Sequence, residues 1–540
     1  MNNASEIDWD QAVSLKRDEM LADLKTLLAI PSVKDEATAE PDAPCGQAVA
    51  QALDFMLNLA RAHGLQTEKL EGIVGYASFG GGELKNTDEQ SAPGHEETGN
   101  ADVPAAFGDG ATDDTYDQTA DEGYIAVLTH LDIVPPGDGW TSPPFEPQIR
   151  GDRLYARGAI DDKGPAMASL YALLAVKSLG LPLRRQVRLI WGTDEESGMA
   201  CMDVYNRLQP PPVAGFTPDA DFPIVHAEKG QVNARMTLRT ARDDEPLSGL
   251  KLVSFRSGRA SNMVPDEAEA VISGSAARLS DIADKYDTYV KAETGGTAKF
   301  VPASTGEPES ESAKLVLRLQ GRSVHGMVPH EGVNAGLRLL HYLRAYEWSG
   351  SGSAFIRDID SLLYEDFEGQ ALGIAGSDAI TGSLTVNAGL FAFDSTSDQA
   401  HVHLNIRHPI SMEGDRIVTH LNDRLSAIDW KLEQVSLKRP HAVPADHPLV
   451  TTLQRVYREQ TGQPATLLST GGGTYAAKLA SGVAFGPLFP GEFDSAHQSD
   501  ESIALDSLMK ATAIYARAIY ELANTDNMSN TNNTNDQQIG

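Results

Sequence analysis

The chain has 540 residues, 41% hydrophobic and 22% charged, an ordinary globular composition with room for more than one domain. A formal net charge of −32 argues against nucleic acid and anionic membranes as partners, and no stretch is long and apolar enough to span a membrane. The two cysteines, Cys45 and Cys201, are too few for a disulfide framework or a thiolate metal cluster; with residues 1–10 lacking a basic-then-apolar leader, the expected location is cytoplasmic.

Val13, Leu15, Met20, Leu21, Leu24, Leu27 and Leu28 recur at helical spacing until Pro31 stops the pattern. A second helix carries Ala52, Leu53, Met56, Leu57 and Leu59 and ends near Gly64. Between residues 84 and 122 acidic residues, Gly, Thr and Ala replace apolar periodicity, which predicts a solvated flexible insertion between two core strands. The run Tyr124-Ile-Ala-Val-Leu-Thr-His130 then predicts a buried strand. A helix over 163–178, a strand over 187–191 and a short strand over 223–226 follow. Strands alternating with helices predict a mostly parallel sheet covered on both faces, with ligands beyond the strands' carboxyl ends. From 230 to about 430, Val/Leu/Ile alternation predicts a second, sheet-rich domain. A helix over 449–461 and the Gly-rich Thr470-Gly-Gly-Gly473 resume the first style, and the Asn/Thr/Asp-rich tail over 524–540 reads as disordered.

Five motifs carry candidate chemistry: His130-Leu-Asp132, Asp161-Asp162 before a helix, Asp194-Glu195-Glu196 after an apolar strand, Pro218-Asp219-Ala220-Asp221, and Asp494-Ser-Ala-His497. Each has an ordinary reading by itself. Asp161-Asp162, for example, could serve as a helix cap with a dipole-complementing charge. Together they supply what a dinuclear metal site needs: oxygen and imidazole ligands, a carboxylate to share, and a free carboxylate to take a proton. Asp132 fits the role of orienting its histidine.

In their order, these motifs resemble the co-catalytic zinc exopeptidases, which include carboxypeptidase G, diaminopimelate desuccinylase, aminoacylases and carnosinase. Further stretches resemble the bacterial dipeptidase branch typified by peptidase V. They include Gly139-Trp-Thr-Ser-Pro-Pro-Phe145, Phe216-Thr-Pro-Asp219, Glu228-Lys-Gly230, Asn262-Met-Val-Pro-Asp266, Gly332-Val-Asn-Ala-Gly336, Gly471-Gly-Gly-Thr-Tyr475 and Phe489-Pro-Gly-Glu492.

The resemblance implies an α/β catalytic domain from residues 1–229 and 437–523, its mostly parallel sheet sandwiched by helices, with an inserted α+β lid at 230–436. It implies two divalent metal ions, zinc by family habit, although oxygen and imidazole donors also accept manganese or cobalt. His130 and Asp219 would hold one ion, Glu196 and His497 the other, and Asp161 would bridge them. The peptide after Asp161 is typically cis in this family.

Glu195 would be the general base, acting on a water between the two ions, with Asp132 supporting His130. His325 would polarise the scissile carbonyl, and Asn262, Arg407, Gly472 and Gly473 would hold the substrate carboxylate. Met327, after the lid histidine, departs from the small residue commoner there.

The implied function is hydrolysis of unblocked dipeptides with broad side-chain preference. The alternatives are a deacylase of N-acyl amino acids on the same fold, or a non-catalytic metal-binding homologue. The partner expected is a small peptide substrate. Because 230–436 is long enough for two small lid units, a monomer is expected.

Overall fold

The computed structural model describes residues 6–81, 123–239, 249–292, 295–301, 313–397 and 399–526. The acidic insertion at 84–122 and the tail from 527 onward lie outside them. The last helix, Leu505–Asn524, includes the first residue assigned to the tail. Contacts divide the chain into two compact units. One comprises 1–224, 444–466 and 474–540, the other 225–443 and 467–473.

The first unit is built on a sheet in the order Gln66–Leu70, Val74–Phe79, Gln186–Gly192, Tyr124–His130, Ala214–Thr217 and Gly482–Ala484. The first two strands join antiparallel, and from Gln186–Gly192 onward all pairings are parallel. Every residue of Tyr124–His130 is buried, as expected of a central strand covered on both faces. Tyr124, Ala126 and Leu128 join Cys201, Met202 and Tyr205 of the Ala200–Leu208 helix in one core cluster. The alternate residues Ile125 and Val127 face the other way, where the helices Lys163–Ser178 and Leu505–Asn524 pack together and against the strand. The apolar pattern at the N-terminus forms two helices, Trp9–Ser14 and Arg17–Leu28, not one. Leu15, counted in that pattern, is 82% exposed in the break between them.

The second unit carries an antiparallel sheet in the order Gly296–Val301, Ala313–Gln320, Glu267–Gly274, Leu250–Ser257, Thr385–Asp394, Gln399–His408, Gly230–Arg239 and Trp430–Lys438. Alternation sorts its faces. Val232, Ala234, Met236, Ala400, Val402, Leu404 and Ile406 enter a core with the helices Ala276–Ala292, Ala335–Leu343, Gly352–Leu363 and Gly414–Ser426. Gln231, Asn233, Arg235, His403, Asn405 and Arg407 take the opposite face. The Gly-rich segment assigned from sequence to the first domain falls in the second unit. Thr470 O accepts Lys229 N at 3.0 Å and Gly471 O accepts Arg407 Nη1 at 2.8 Å, bonds that tie it there. Among the described residues no helix is long and apolar enough to cross a membrane.

Candidate active site

Three neighbouring parallel strands end at one edge of the first unit's sheet, and the acidic motifs begin where they stop. His130 closes its strand directly beside Gly192, and Asp194, Glu195 and Glu196 follow two to four residues beyond Gly192. Asp219 comes two residues after the Ala214–Thr217 strand. The turn 158–161 leads into the Lys163–Ser178 helix and brings Asp161 against both histidines. Its Oδ1 lies 3.0 Å from His130 Nε2 and its Oδ2 lies 3.0 Å from His497 Nε2. Glu196 Oε2 is 3.1 Å from His497 Nε2, and Asp219 Oδ1 is 4.0 Å from His130 Nε2. Ligand atoms of His130, Asp161 and Glu196 fall within 4.8 Å of one another, as do those of His130, Glu195 and Asp219. The Asp161–Asp162 peptide is cis.

Neighbouring groups set the orientation of these side chains. His130 Nδ1 faces the Asp132 main-chain carbonyl at 2.9 Å, whereas the Asp132 carboxylate is 3.6 Å away, beyond hydrogen-bond length. That carboxylate instead accepts the main-chain N–H groups of Glu195 and Glu196, each at 3.1 Å. Asp162 occupies the cap position of its helix but makes no capping bond. Its Oδ2 accepts His130 N at 3.0 Å. Asp194, next to the two glutamates, receives Lys34 Nζ at 2.7 Å, Ser197 Oγ at 2.9 Å and Ala200 N at 3.1 Å.

The site is electrostatically crowded. Burial would raise the Asp161 carboxyl, but His130 and His497 together hold it well below the usual range. Glu195 is pushed up to about 8, first by desolvation and further by Glu196, Asp132 and Asp161. Asp219 is also raised, by burial and by Asp162. His497 is pushed up to about 11 by Asp161 and Glu196.

The donor set fits a pair of divalent cations. Without a metal, a proton shared between His130 Nε2 and Asp161 Oδ1, 3.0 Å apart, satisfies the pair. With the ring protonated at Nδ1, which lies 2.9 Å from the Asp132 carbonyl, Nε2 would instead offer its lone pair to a cation held by the same carboxylates. Oxygen and imidazole donors are those that zinc and its neighbours accept.

In the second unit Arg407 is buried, and its Nε and Nη1 donate to Asn405 Oδ1 at 2.9 Å and Gly471 O at 2.8 Å. Among the described residues no carboxylate pairs with it, and burial lowers its guanidinium to about 10. Asn262 and His325 are joined through the chain: Gly326 N donates to Asn262 O at 2.7 Å. A Cβ on Gly471 would stand 2.9 Å from Met327 Cβ, so the His325 loop runs beside the glycine segment. Gly472 N is held by Thr470 Oγ1 at 2.9 Å. A Cβ on Gly473 would collide with Lys438 Nζ.

Glu501 was not among the sequence candidates. This fully buried carboxylate accepts the main-chain N–H of Asp161 at 3.2 Å. Its one sequence signal, the acidic pair Asp500-Glu501 three and four residues after His497, is too common to mark it.

Residues 126–521 match the model of Peptidase family M20/M25/M40. The chain is a member of that family. It is a metallopeptidase by that membership, and its structure has the family's fold, an α/β unit carrying the candidate ligands with an inserted sheet-rich unit. It is 40% identical to YtjP of Bacillus subtilis (strain 168), provisionally named as a dipeptidase, over 96% of this chain and 100% of that one. A Staphylococcus epidermidis protein with the same provisional name is 32% identical over 96% of this chain and all of its own. The M20/M25/M40 peptidase fold also resembles solved structures of low identity. Human carnosine dipeptidase 1 superposes with TM-score 0.52 at 16% identity, covering 96% of this chain and 98% of that one. The Saccharomyces cerevisiae dipeptidase Dug1p gives 0.53 at 12%, covering 96% and 98%.

Proposed function

We propose that this peptidase is a dipeptidase that uses two divalent cations to hydrolyse the peptide bond of unblocked dipeptides. The observation carrying the substrate class is Arg407, a buried guanidinium whose bonds among the described residues go to neutral oxygens, which suits a carboxylate supplied by the ligand. The dipeptidase names of the full-length relatives support the same reading.

In this reading His130 and Asp219 hold one cation, Glu196 and His497 the other, and Asp161 serves both. Divalent cations held there, zinc or its close relatives, would supply Lewis acidity and make a water easier to deprotonate. Glu195, aimed by the Asp132 carboxylate through its own main-chain N–H, takes a proton from the attacking water and delivers it to the leaving amine. In the second unit Arg407 pairs with the substrate carboxylate, assisted by Asn262 and by the side-chain-free Gly472 and Gly473. His325 donates to the scissile carbonyl.

The test is metal analysis of the purified protein, followed by turnover of dipeptides, tripeptides, amidated dipeptides and N-acetyl amino acids. Free dipeptides should be preferred. Faster turnover of N-acetyl amino acids would replace this reading with a deacylase.

A further inference from the structure

Four residues beyond His497, Glu501 has zero relative exposure, yet both of its carboxylate oxygens are fully engaged. Oε2 accepts Arg157 Nη1 at 2.6 Å and Gly158 N at 3.1 Å. Oε1 accepts Ile160 N at 3.0 Å and Asp161 N at 3.2 Å. The Glu501 carbonyl in turn accepts Ala156 N at 3.1 Å. Arg157, itself 1% exposed, supplies the counter-charge a buried carboxylate requires. A simple ion pair would end there.

The three main-chain N–H groups are what an ion pair does not explain. They belong to the turn 158–161, which wraps around the carboxylate and terminates at Asp161. Gly158 enters that turn at φ +85°, a conformation side chains rarely adopt. Glu501 shares a short loop with His497, which has φ +63°, as Asp500 has φ +56°. Asp500 also accepts Thr141 N at 3.0 Å and Arg150 Nη2 at 3.3 Å, anchoring the loop on its other side. The Glu501 carboxylate is therefore the junction between the turn that presents Asp161 and the loop that presents His497. Those two side chains meet at 3.0 Å.

We propose that Glu501 is a positioning residue of the metal centre, holding Asp161 and His497 at the separation that lets both ligate. The inference rests on the reading of those two residues as metal ligands. Among the described residues the Glu501 carboxylate bonds to Arg157 and to main-chain N–H groups, not to the side chains of Asp161 or His497. Glutamine at this position keeps the shape but turns an NH₂ toward N–H donors at one of the two oxygens. The turn would then shift on its Asp161 side or its Arg157 side.

The experiment titrates the full-length, metal-stripped protein with Zn²⁺ by calorimetry and records its thermal melt. Wild type, Glu501→Gln, Glu501→Asp and Arg517→Gln are compared. Arg517→Gln breaks a buried ion pair with Glu521 in the last helix and controls for lost stability alone. Glu501→Gln should weaken zinc binding about 10–100-fold, as loss of a group supporting a ligand does, with kcat falling and KM little changed. Glu501→Asp should recover part of the loss, and Arg517→Gln should lower the melting temperature without weakening zinc. If Glu501→Gln gives no cooperative melt, Glu501→Asp carries the comparison, with a weakening above that of Arg517→Gln expected.

Zinc affinity in the Glu501 variant equal to that of wild type or of Arg517→Gln overturns the proposal. Wild type binding no zinc at all, with no other divalent cation retained, instead removes the ligand assignment, and this inference with it.

Discussion

Asp132 Oδ1 accepts the main-chain N–H of Glu195 at 3.1 Å, so the residue two places after His130 sets the backbone that carries the proposed base. Its Oδ2 does the same for Glu196. Asp132→Asn leaves one acceptor where two N–H groups need one each. The expected result is a 10–100-fold fall in activity, the usual effect of removing a ligand's support. Steady-state kinetics with measured metal content checks it, and unchanged turnover would remove this role for Asp132.

Glu195 and Asp161 should separate in kind. Glu195→Gln should retain both cations and lose about 100-fold or more in kcat, because it removes a proton acceptor. Asp161→Ala should lose metal, since it takes a carboxylate from between both histidines. Elemental analysis beside kinetics reads the difference. A Glu195→Gln enzyme turning over near the wild-type rate would end the base assignment.

Chelation should abolish hydrolysis and lower the melting temperature. A cation at one hundred times its Kd stabilises the folded state by about 2.7 kcal/mol. For a unit of this size that is several degrees, read by calorimetry with and without chelator. Adding back zinc, manganese and cobalt separately ranks them by recovered turnover. Full activity after verified removal of metal would refute the metal requirement.

Arg407→Ala and a C-terminally amidated dipeptide remove opposite halves of one contact. A buried charge pair that loses one partner is weakened by about 2–5 kcal/mol, so either change should lower kcat/KM by some tens- to thousands-fold. Combined, the losses should fall well short of additive. Independent, multiplying losses would mean that Arg407 meets some other part of the substrate.

The second unit draws the strands of its long antiparallel sheet from one chain, from Gly296–Val301 at one edge to Trp430–Lys438 at the other. We expect the enzyme to be monomeric, with no strand borrowed from a second copy. Light scattering coupled to size exclusion should give the mass of one chain, and a dimer persisting at assay concentration would contradict this.

The sequence by itself determined the local elements and the inventory of chemical groups. The apolar run Tyr124–His130 is a buried strand and Lys163–Ser178 a helix because periodicity and burial act over a few neighbouring residues. The motif order identified His130, Asp161, Glu195, Glu196, Asp219 and His497 as a set, and these side chains do converge. Only the tertiary structure decided which hydrogen bonds each carboxylate makes. Asp162 stands where a helix cap would, but its oxygen goes to His130 N, a partner 32 residues earlier. Asp132 follows its histidine by two residues, yet its carboxylate goes to amides more than sixty residues away. Glu501 reaches Asp161 across 340 residues, and the Thr470–Gly473 segment joins the second unit by bonds to Lys229 and Arg407. A buried carboxylate must find donors wherever the packed chain presents them, and nothing in its own neighbourhood in the sequence records where those donors will be.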